Sequence, residues 1–342
     1  MPDFAPPLRQ KDLRATRHRK PDPPDLTDLA VRLTPRDRWL LRMLYEHRVL
    51  TSHQIADLAF GTPRVARRRL LDLYRYGVIS RFTPYRHSGT WPAHYILAPA
   101  GAQVLAAEEG LDVTALRWRY DRAIAVAAGI QLAHAVGVGT WFISLVRHAR
   151  RHRDRELQAW WSQTRCQRLW GDLVRPDAYG RWTAGRARIE FFLEYDLGTE
   201  SLTQVTRKLD GYARLADATA ITTPVLLWLP THRRETHARQ HLHTAWRTLP
   251  DPAAVPVATA AADLLDHTAA EPSPADAVWQ PLDTSGTDRL ALHQLPAAWP
   301  RYTPPAAPAR STSDTADTDG AVPPTVLPAP APTPPATEPG ES

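Results

Sequence analysis

Residues Leu173–Glu200 read LVRPDAYGRWTAGRARIEFFLEYDLGTE. The second half, IEFFLEYD (189–196), has the composition of a buried β-strand. Alternate side chains of a strand share a face. Glu190, Phe192, Glu194 and Asp196 therefore fall on one side, and Ile189, Phe191, Leu193 and Tyr195 on the other. Three in-phase acids in an apolar strand, shortly after the Pro-Asp pair at 176–177, repel one another unless a cation stands among them.

The flanking segments set this strand in a mixed order of helices and strands. An Ala-rich helix is expected from about Arg122 to His148, with Ile124, Ala128, Leu132, Phe142, Leu145 and Val146 largely buried and His134 inside it. ELQAWWS (156–162) reads as a strand, and a loop leads to a second, LVRPDAY (173–179), ending in Pro-Asp. IEFFLEYD is a third, antiparallel to the second across the polar turn GRWTAGR (180–186). Thr199 is placed to cap the helix ESLTQVTRKLDGYARLA (200–216). PVLLWLP (224–230) is a fourth strand, followed by a helix from near Arg233. VPVAT, AVWQPL and RLALHQL read as later strands or edges.

Helix, three strands, helix, strand is the order of the PD-(D/E)xK nuclease-like core, which this region resembles. That fold brings the Asp after Pro and the residues at the (D/E) and K positions to one sheet edge. Two carboxylates there hold Mg²⁺ or Mn²⁺ through oxygen. The metal activates water and neutralises charge on the scissile phosphate, and a lysine stabilises the developing charge. Asp177 and Glu194 fill the first two places as catalytic residues and metal ligands. Asp196 stands in the third, where a lysine belongs, and Lys208 in the next helix is the candidate replacement. The alternative reading is structural, with the acids paired to Arg175, Arg186, Arg188 or Arg207, and Glu200 serving the helix dipole. His237 and His241, four apart on a helix, could share a metal, but no third ligand is evident.

Upstream, Thr34-Pro35 opens a helix whose Trp39, Leu40, Met43 and Leu44 follow helical spacing. Thr51 caps a second helix, with Ile55, Leu58 and Ala59 inward, ended by Gly61. Thr62-Pro63 starts a third, closed by Gly77, with Ala66, Leu70 and Leu73 toward the core. VISRF (78–82) and HYIL (94–97) flank a basic loop carrying Tyr85, Arg86, His87 and Trp91, and PAGAQVLAAEE (99–109) closes as a helix. This is the order of a winged helix-turn-helix. Its third helix would enter the major groove of double-stranded DNA with Arg64, Arg67, Arg68 and Arg75, and Arg86 in the wing would meet the backbone or minor groove. Asp72 is the one acid in the middle of that helix.

The bulk numbers agree with this organisation. The 342 residues carry a net charge of +6, compatible with a nucleic-acid partner. One cysteine, Cys166, excludes an internal disulfide framework and a multi-Cys zinc site, and fits a reducing cytoplasm. No apolar run reaches the ~18 residues of a membrane span. Residues 1–32 read as a disordered basic arm. The expected units are a winged helix at 33–120, an α/β domain at 121–300 and a disordered Pro/Ala-rich tail at 301–342. The fold class is thus α+β.

LTPRDRWLLRMLYEHRVLTSHQIADLAF (33–60), RRRLLDLYRYGVISRF (67–82), HYILAPAG (94–101), then RPDAYG, FFLEYDLGTE and KLDGY (208–212), resemble the replication-relaxation proteins of actinobacterial plasmids and integrated mobile elements. The resemblance spans roughly residues 33–300. It implies a DNA-associated protein of mobile-element replication or transfer, with Asp177, Glu194, Asp196 and Lys208 at matching positions.

Three functions stay open on the sequence. One is a metal-dependent enzyme that nicks or cuts DNA. Another is a copy-control or transcriptional regulator, whose second domain makes a homodimer or binds a ligand. The last is a scaffold recruiting replication or transfer proteins through its Pro-rich tail.

Overall fold

The computed structural model describes residues 25–84, 91–126, 131–199, 201–266, 268, 271–283, 286, 288–304 and 327–336. The chain forms two compact units: residues 1–147 together with 326–342, and residues 148–325. The class is mixed α+β, with one sheet in each unit.

The first unit opens with helix α1, Leu26–Arg32, capped by Asp25 through the Thr27 amide. Those residues are therefore no part of a disordered arm: Leu29 is buried, and the apolar side chain offsets the cost of ordering the turn. Residues 1–24 of the expected arm lie outside the described residues. Helix α2, Pro35–His47, has a capping box between Thr34 and Asp37. Strand β1, Leu50–Thr51, leads into α3, Ser52–Ala59, which repeats the device with Thr51 and Gln54. Helix α4, Pro63–Arg75, is capped by Thr62. Strands β2, Ile79–Phe82, and β3, His94–Leu97, form an antiparallel hairpin, and β1 adds to β3 on its other side. Helix α5, Pro99–Glu108, follows. The expected core residues, Trp39, Leu40, Met43, Leu44, Ile55, Leu58, Ala59, Ala66, Leu70 and Leu73, are all buried.

Where one long helix was expected there are α6, Tyr120–Ala125, and α7, Gln131–Arg151, with 127–130, including Ala128, outside the described residues. Leu132, Phe142, Leu145 and Val146 are buried as expected, whereas Ile124 is exposed. The unit boundary falls inside α7, at Arg147–His148, and not at residue 120. The reason is packing: Ala123, Val126 and Leu132 join Val49 and Ile96 in one cluster, and Gln54 Nε2 donates to Val136 O at 2.9 Å and to Thr140 Oγ1 at 3.0 Å.

The second unit is a six-stranded sheet. Its strands are β4 Arg155–Ser162, β5 Ala178–Ala184, β6 Ala187–Tyr195, β7 Val225–Leu229, β8 Val257–Ala261 and β9 Gln280–Pro281, in that spatial order. Strands β4 to β6 are an antiparallel meander, β6 to β8 run parallel, and β9 returns antiparallel. Every residue of VLLWL in β7 is buried, as an interior parallel strand requires. Helices α9, Leu202–Thr219, and α10, His232–Arg247, are the crossovers after β6 and β7. Leu209 and Tyr212 of α9 and Ala238 and Leu242 of α10 pack on Phe192, Val225, Leu227 and Val257.

Three expectations in this unit need correction. The connection after β4 is helix α8, Gln163–Trp170, capped by Ser162. The second strand begins after Pro-Asp instead of ending there, so GRWTA is strand and the turn is Gly185-Arg186, with Gly185 at φ 57°. A two-residue hairpin turn needs positive φ, which glycine takes without steric cost. RLALHQL gives only a bridge, Leu290 to Trp279, before a 3₁₀ turn at Leu292–Gln294 and helix α11, Leu295–Ala298. The ordered unit runs past residue 300: Arg301 pairs with Asp251 at 2.7 Å, and the Glu190 amide donates to Tyr302 Oη at 2.8 Å.

Asp37 joins α2 to α4 in the first unit. It is 1% exposed, accepts from the Thr34 amide at 2.8 Å and from Arg69 Nε at 3.0 Å. Asp37→Ala removes a cap and leaves Arg69 without its carboxylate. It is expected to lower stability to urea by about 2–4 kcal/mol, while Arg67→Ala on the solvent face shifts it by no more than about 0.5 kcal/mol.

Candidate functional site

The site is built on the β5–β6 hairpin. Asp177 lies one residue before β5, and its amide donates to Leu193 O at 3.1 Å, extending the ladder to the end of β6. Its Oδ2 accepts from the Tyr195 amide at 2.8 Å, and Gln163 Nε2, from the first turn of α8, reaches its Oδ1 at 3.4 Å. Tyr179, two residues on, is opposite Phe192, so Asp177 and Glu194 share the face on which α9 packs.

Glu194 is 5% exposed and both of its oxygens are held. Lys208 Nζ stands 2.5 Å from Oε2, and Tyr212 Oη donates to Oε1 at 2.5 Å. Burial pushes the Glu194 carboxyl up to about 7, with Lys208 pulling it down and the Asp177 charge adding to the rise. The Tyr212 hydroxyl is raised well above its ordinary value, first by burial and then by the adjacent Glu194.

Lys208 and Tyr212, four apart on α9, reach the same carboxylate. Leu209 is core. Gly211 lets the 171–177 segment lie against the helix: a Cβ there would stand 2.7 Å from Leu173 O and 3.2 Å from Val174 Cβ. Arg214 Nη2 donates to the same carbonyl at 3.1 Å. The helix thus both holds Glu194 and seats the segment that presents Asp177. The helix cap is Ser201, in a capping box with Gln204, and not Thr199: the Ser201 hydroxyl accepts from the Gln204 amide.

The three in-phase acids go to three cations. Glu190 pairs with Arg181, directly across the hairpin. Glu194 pairs with Lys208. Asp196 pairs with Arg234 of α10 and accepts from the Gly198 amide at 2.7 Å. Asp196 therefore departs from the expected cluster: just past the end of β6 it turns to α10, the helix after β7. Asp177, Glu194 and Lys208 are brought together. Among the described residues no group of three or more His, Cys, Asp or Glu stands ready to hold a metal ion, and His237 and His241 lie exposed on α10. Tyr212 and Gln163 were missed from the sequence. The four-residue spacing of Lys208 and Tyr212 was the available signal for the first, but the helix read as a loop hid the second.

On the first unit, Arg64, Arg67 and Arg68 are exposed on α4 and, among the described residues, have no acidic partner. Exposed Val65 lies among them. Arg75 is exposed and 3.8 Å from Asp72. Arg69, between them in sequence, instead turns inward to Asp37. Arg86, Tyr85 and His87 lie outside the described residues.

These observations define a two-unit α+β protein with a buried acid–lysine cluster on one sheet and an arginine-bearing helix in the other unit. A family model described as replication-relaxation matches residues 41–226, just over half of the chain, from within α2 to β7. The chain belongs to the replication-relaxation family. No curated protein and no solved structure matches it.

Two outcomes follow from the geometry. A carboxyl raised in the folded state binds a proton there that the unfolded chain has already released. Its unfavourable contribution is absent below about pH 4.5 and complete above about pH 7. Stability should therefore fall across that window, and in Glu194→Gln this component should be flat, read from urea midpoints at each pH. Gly211→Ala should destabilise by about 1–3 kcal/mol, although Ala is the better helix former by up to about 1 kcal/mol.

Proposed function

We propose that this chain is a DNA-binding protein of plasmid or mobile-element replication or transfer. In this reading the first unit is a winged helix-turn-helix and the second a PD-(D/E)xK-like nuclease domain. The observation that carries it is the Lys208 ammonium on Glu194 beside Asp177. The lysine missing from position 196 is supplied by the following helix.

Family membership supports the replication setting. Three helices followed by a β2–β3 hairpin, with short β1 closing the sheet, support the winged helix. The exposed arginines around Val65 suit α4 to the major groove. Guanidinium groups pair with guanine there, and an apolar side chain meets a thymine methyl.

Asp177 and Glu194 would hold Mg²⁺ or Mn²⁺, a hard cation that takes one or two carboxylates and completes its shell with water and phosphate oxygen. Their oxygen-only chemistry fits that ion. When bound, the metal supplies charge neutralisation at the scissile phosphate and activates water. Lys208 stabilises negative charge on the phosphate oxygens, Tyr212 fixes the Glu194 rotamer, and Tyr195 and Gln163 orient Asp177. The family match includes all six residues.

The test is supercoiled plasmid with Mg²⁺ or Mn²⁺. Wild type is expected to nick or linearise it, with Asp177→Ala, Glu194→Ala and Lys208→Ala each reducing the rate about 100-fold or more while DNA binding persists. Single Arg64→Ala, Arg67→Ala and Arg68→Ala changes should each weaken duplex binding by about 1–3 kcal/mol. Unchanged plasmid topology under all metal conditions, with duplex binding retained, would instead identify a non-catalytic regulator.

A further inference from the structure

The Pro/Ala-rich tail was expected to lack structure throughout. Residues 305–326 and 337–342 lie outside the described residues, but 327–336, LPAPAPTPPA, are described and belong to the first unit. The chain thus leaves that unit, builds the second and returns.

The returning segment is anchored on α2. Trp39 Nε1 donates to Ala331 O at 2.8 Å. Leu327 is 1% exposed, and Pro330 and Pro332 are buried with it. Trp39 itself is buried. These contacts follow from the chemistry of both partners. Prolines at 328, 330, 332, 334 and 335 remove backbone donors and favour an extended chain whose carbonyls have no internal partner. An indole is a donor with no acceptor. A ring face for proline and an N–H for the intervening carbonyl are what aromatic-lined grooves use to read proline-rich segments. Such a segment is already stiff, so docking costs it little conformational entropy. The family match begins at residue 41 and ends at 226, so it includes neither Trp39 nor the tail.

We propose that the surface around Trp39 on α2 is a recognition site for proline-rich extended segments, filled in this protein by its own residues Leu327–Pro332. The connecting residues 305–326 keep the ligand on the same chain, where its effective concentration far exceeds that of a free peptide. The site is separate from Asp177, Glu194 and Lys208, and the proposal stands whether or not those residues are catalytic.

The experiment uses the full-length chain labelled with ¹⁵N-tryptophan, with the Trp39 indole resonance assigned by its loss in Trp39→Phe. Leu327→Ser, and separately replacement of residues 327–335 by a Gly/Ser sequence of equal length, should both shift that resonance while the rest of the spectrum persists. A synthetic peptide of residues 325–337 should return it saturably, at one peptide per chain, in the Gly/Ser variant. The same peptide should bind the unmodified chain at least about tenfold more weakly, because the site is already filled. Adding Trp39→Phe to the Gly/Ser variant should weaken peptide binding. A Trp39 resonance indifferent to both tail variants overturns the proposal, and so does a peptide that fails to restore it at millimolar concentration. A resonance that changes on tenfold dilution of the unmodified chain overturns filling by the chain's own tail and assigns the ligand to a second copy.

Discussion

A carboxylate taken out of water must find a cation or a proton, and Glu194 organises the second unit around that requirement. It sits in the sheet under α9, with Lys208 on one oxygen and Tyr212 on the other. Satisfying it fixes the rotation of α9 about its own axis, since only one helical face carries both donors. The same face carries Leu209 into the core, and Gly211 lets the Leu173–Val174 backbone come close. Asp177 then arrives beside Glu194 by a second route, the Leu193 and Tyr195 backbone contacts. The sheet register and the helix packing therefore converge on one small cluster. A cluster held from two sides in this way is preorganised.

The first unit solves a different electrostatic problem. Helix α4 carries five arginines in thirteen residues. One of them, Arg69, is spent inside on buried Asp37, which also caps α2. Asp72 lies within reach of Arg75. That leaves Arg64, Arg67 and Arg68 exposed on the N-terminal two turns, without an acidic partner among the described residues. Helix position sets the division: Arg69 shares a flank with α2, and its neighbours in sequence are turned away by about 100° per residue. The helix is thus held to its unit by Ala66, Leu70 and Leu73 in the core and by Arg69 on Asp37, and it presents Arg64, Arg67 and Arg68.

Much of this was legible in the residues. Helix starts followed from Thr34-Pro35, Thr51 and Thr62-Pro63, because caps are local chemistry. The apolar faces of α2, α3 and α4 followed from spacing, because a helix fixes which residues share a side. The pairing of Asp177 with Glu194 followed from an antiparallel hairpin, although the turn was set too early: strand and turn propensities of GRWTA differ little, and Gly185 decided the matter by its positive φ. The helix α8 was read as a loop because QTRCQRLW is short and mostly polar, with only Cys166, Leu169 and Trp170 apolar, and with it went Gln163. The role of Arg234 in claiming Asp196 was invisible, since the two are 38 residues apart and meet only when α10 packs.

What the sequence alone determined is the set of elements and the charges they carry, because capping, periodicity and strand alternation act over a few residues. The tertiary structure decided which charge meets which. Three in-phase acids on β6 looked equivalent until packing gave Glu190 to Arg181, Glu194 to Lys208 and Asp196 to Arg234. It also decided that Leu327, Pro330 and Pro332 of a Pro-rich tail would be buried, with Ala331 O bonded to Trp39, since a segment with no core of its own acquires structure only from the surface that receives it.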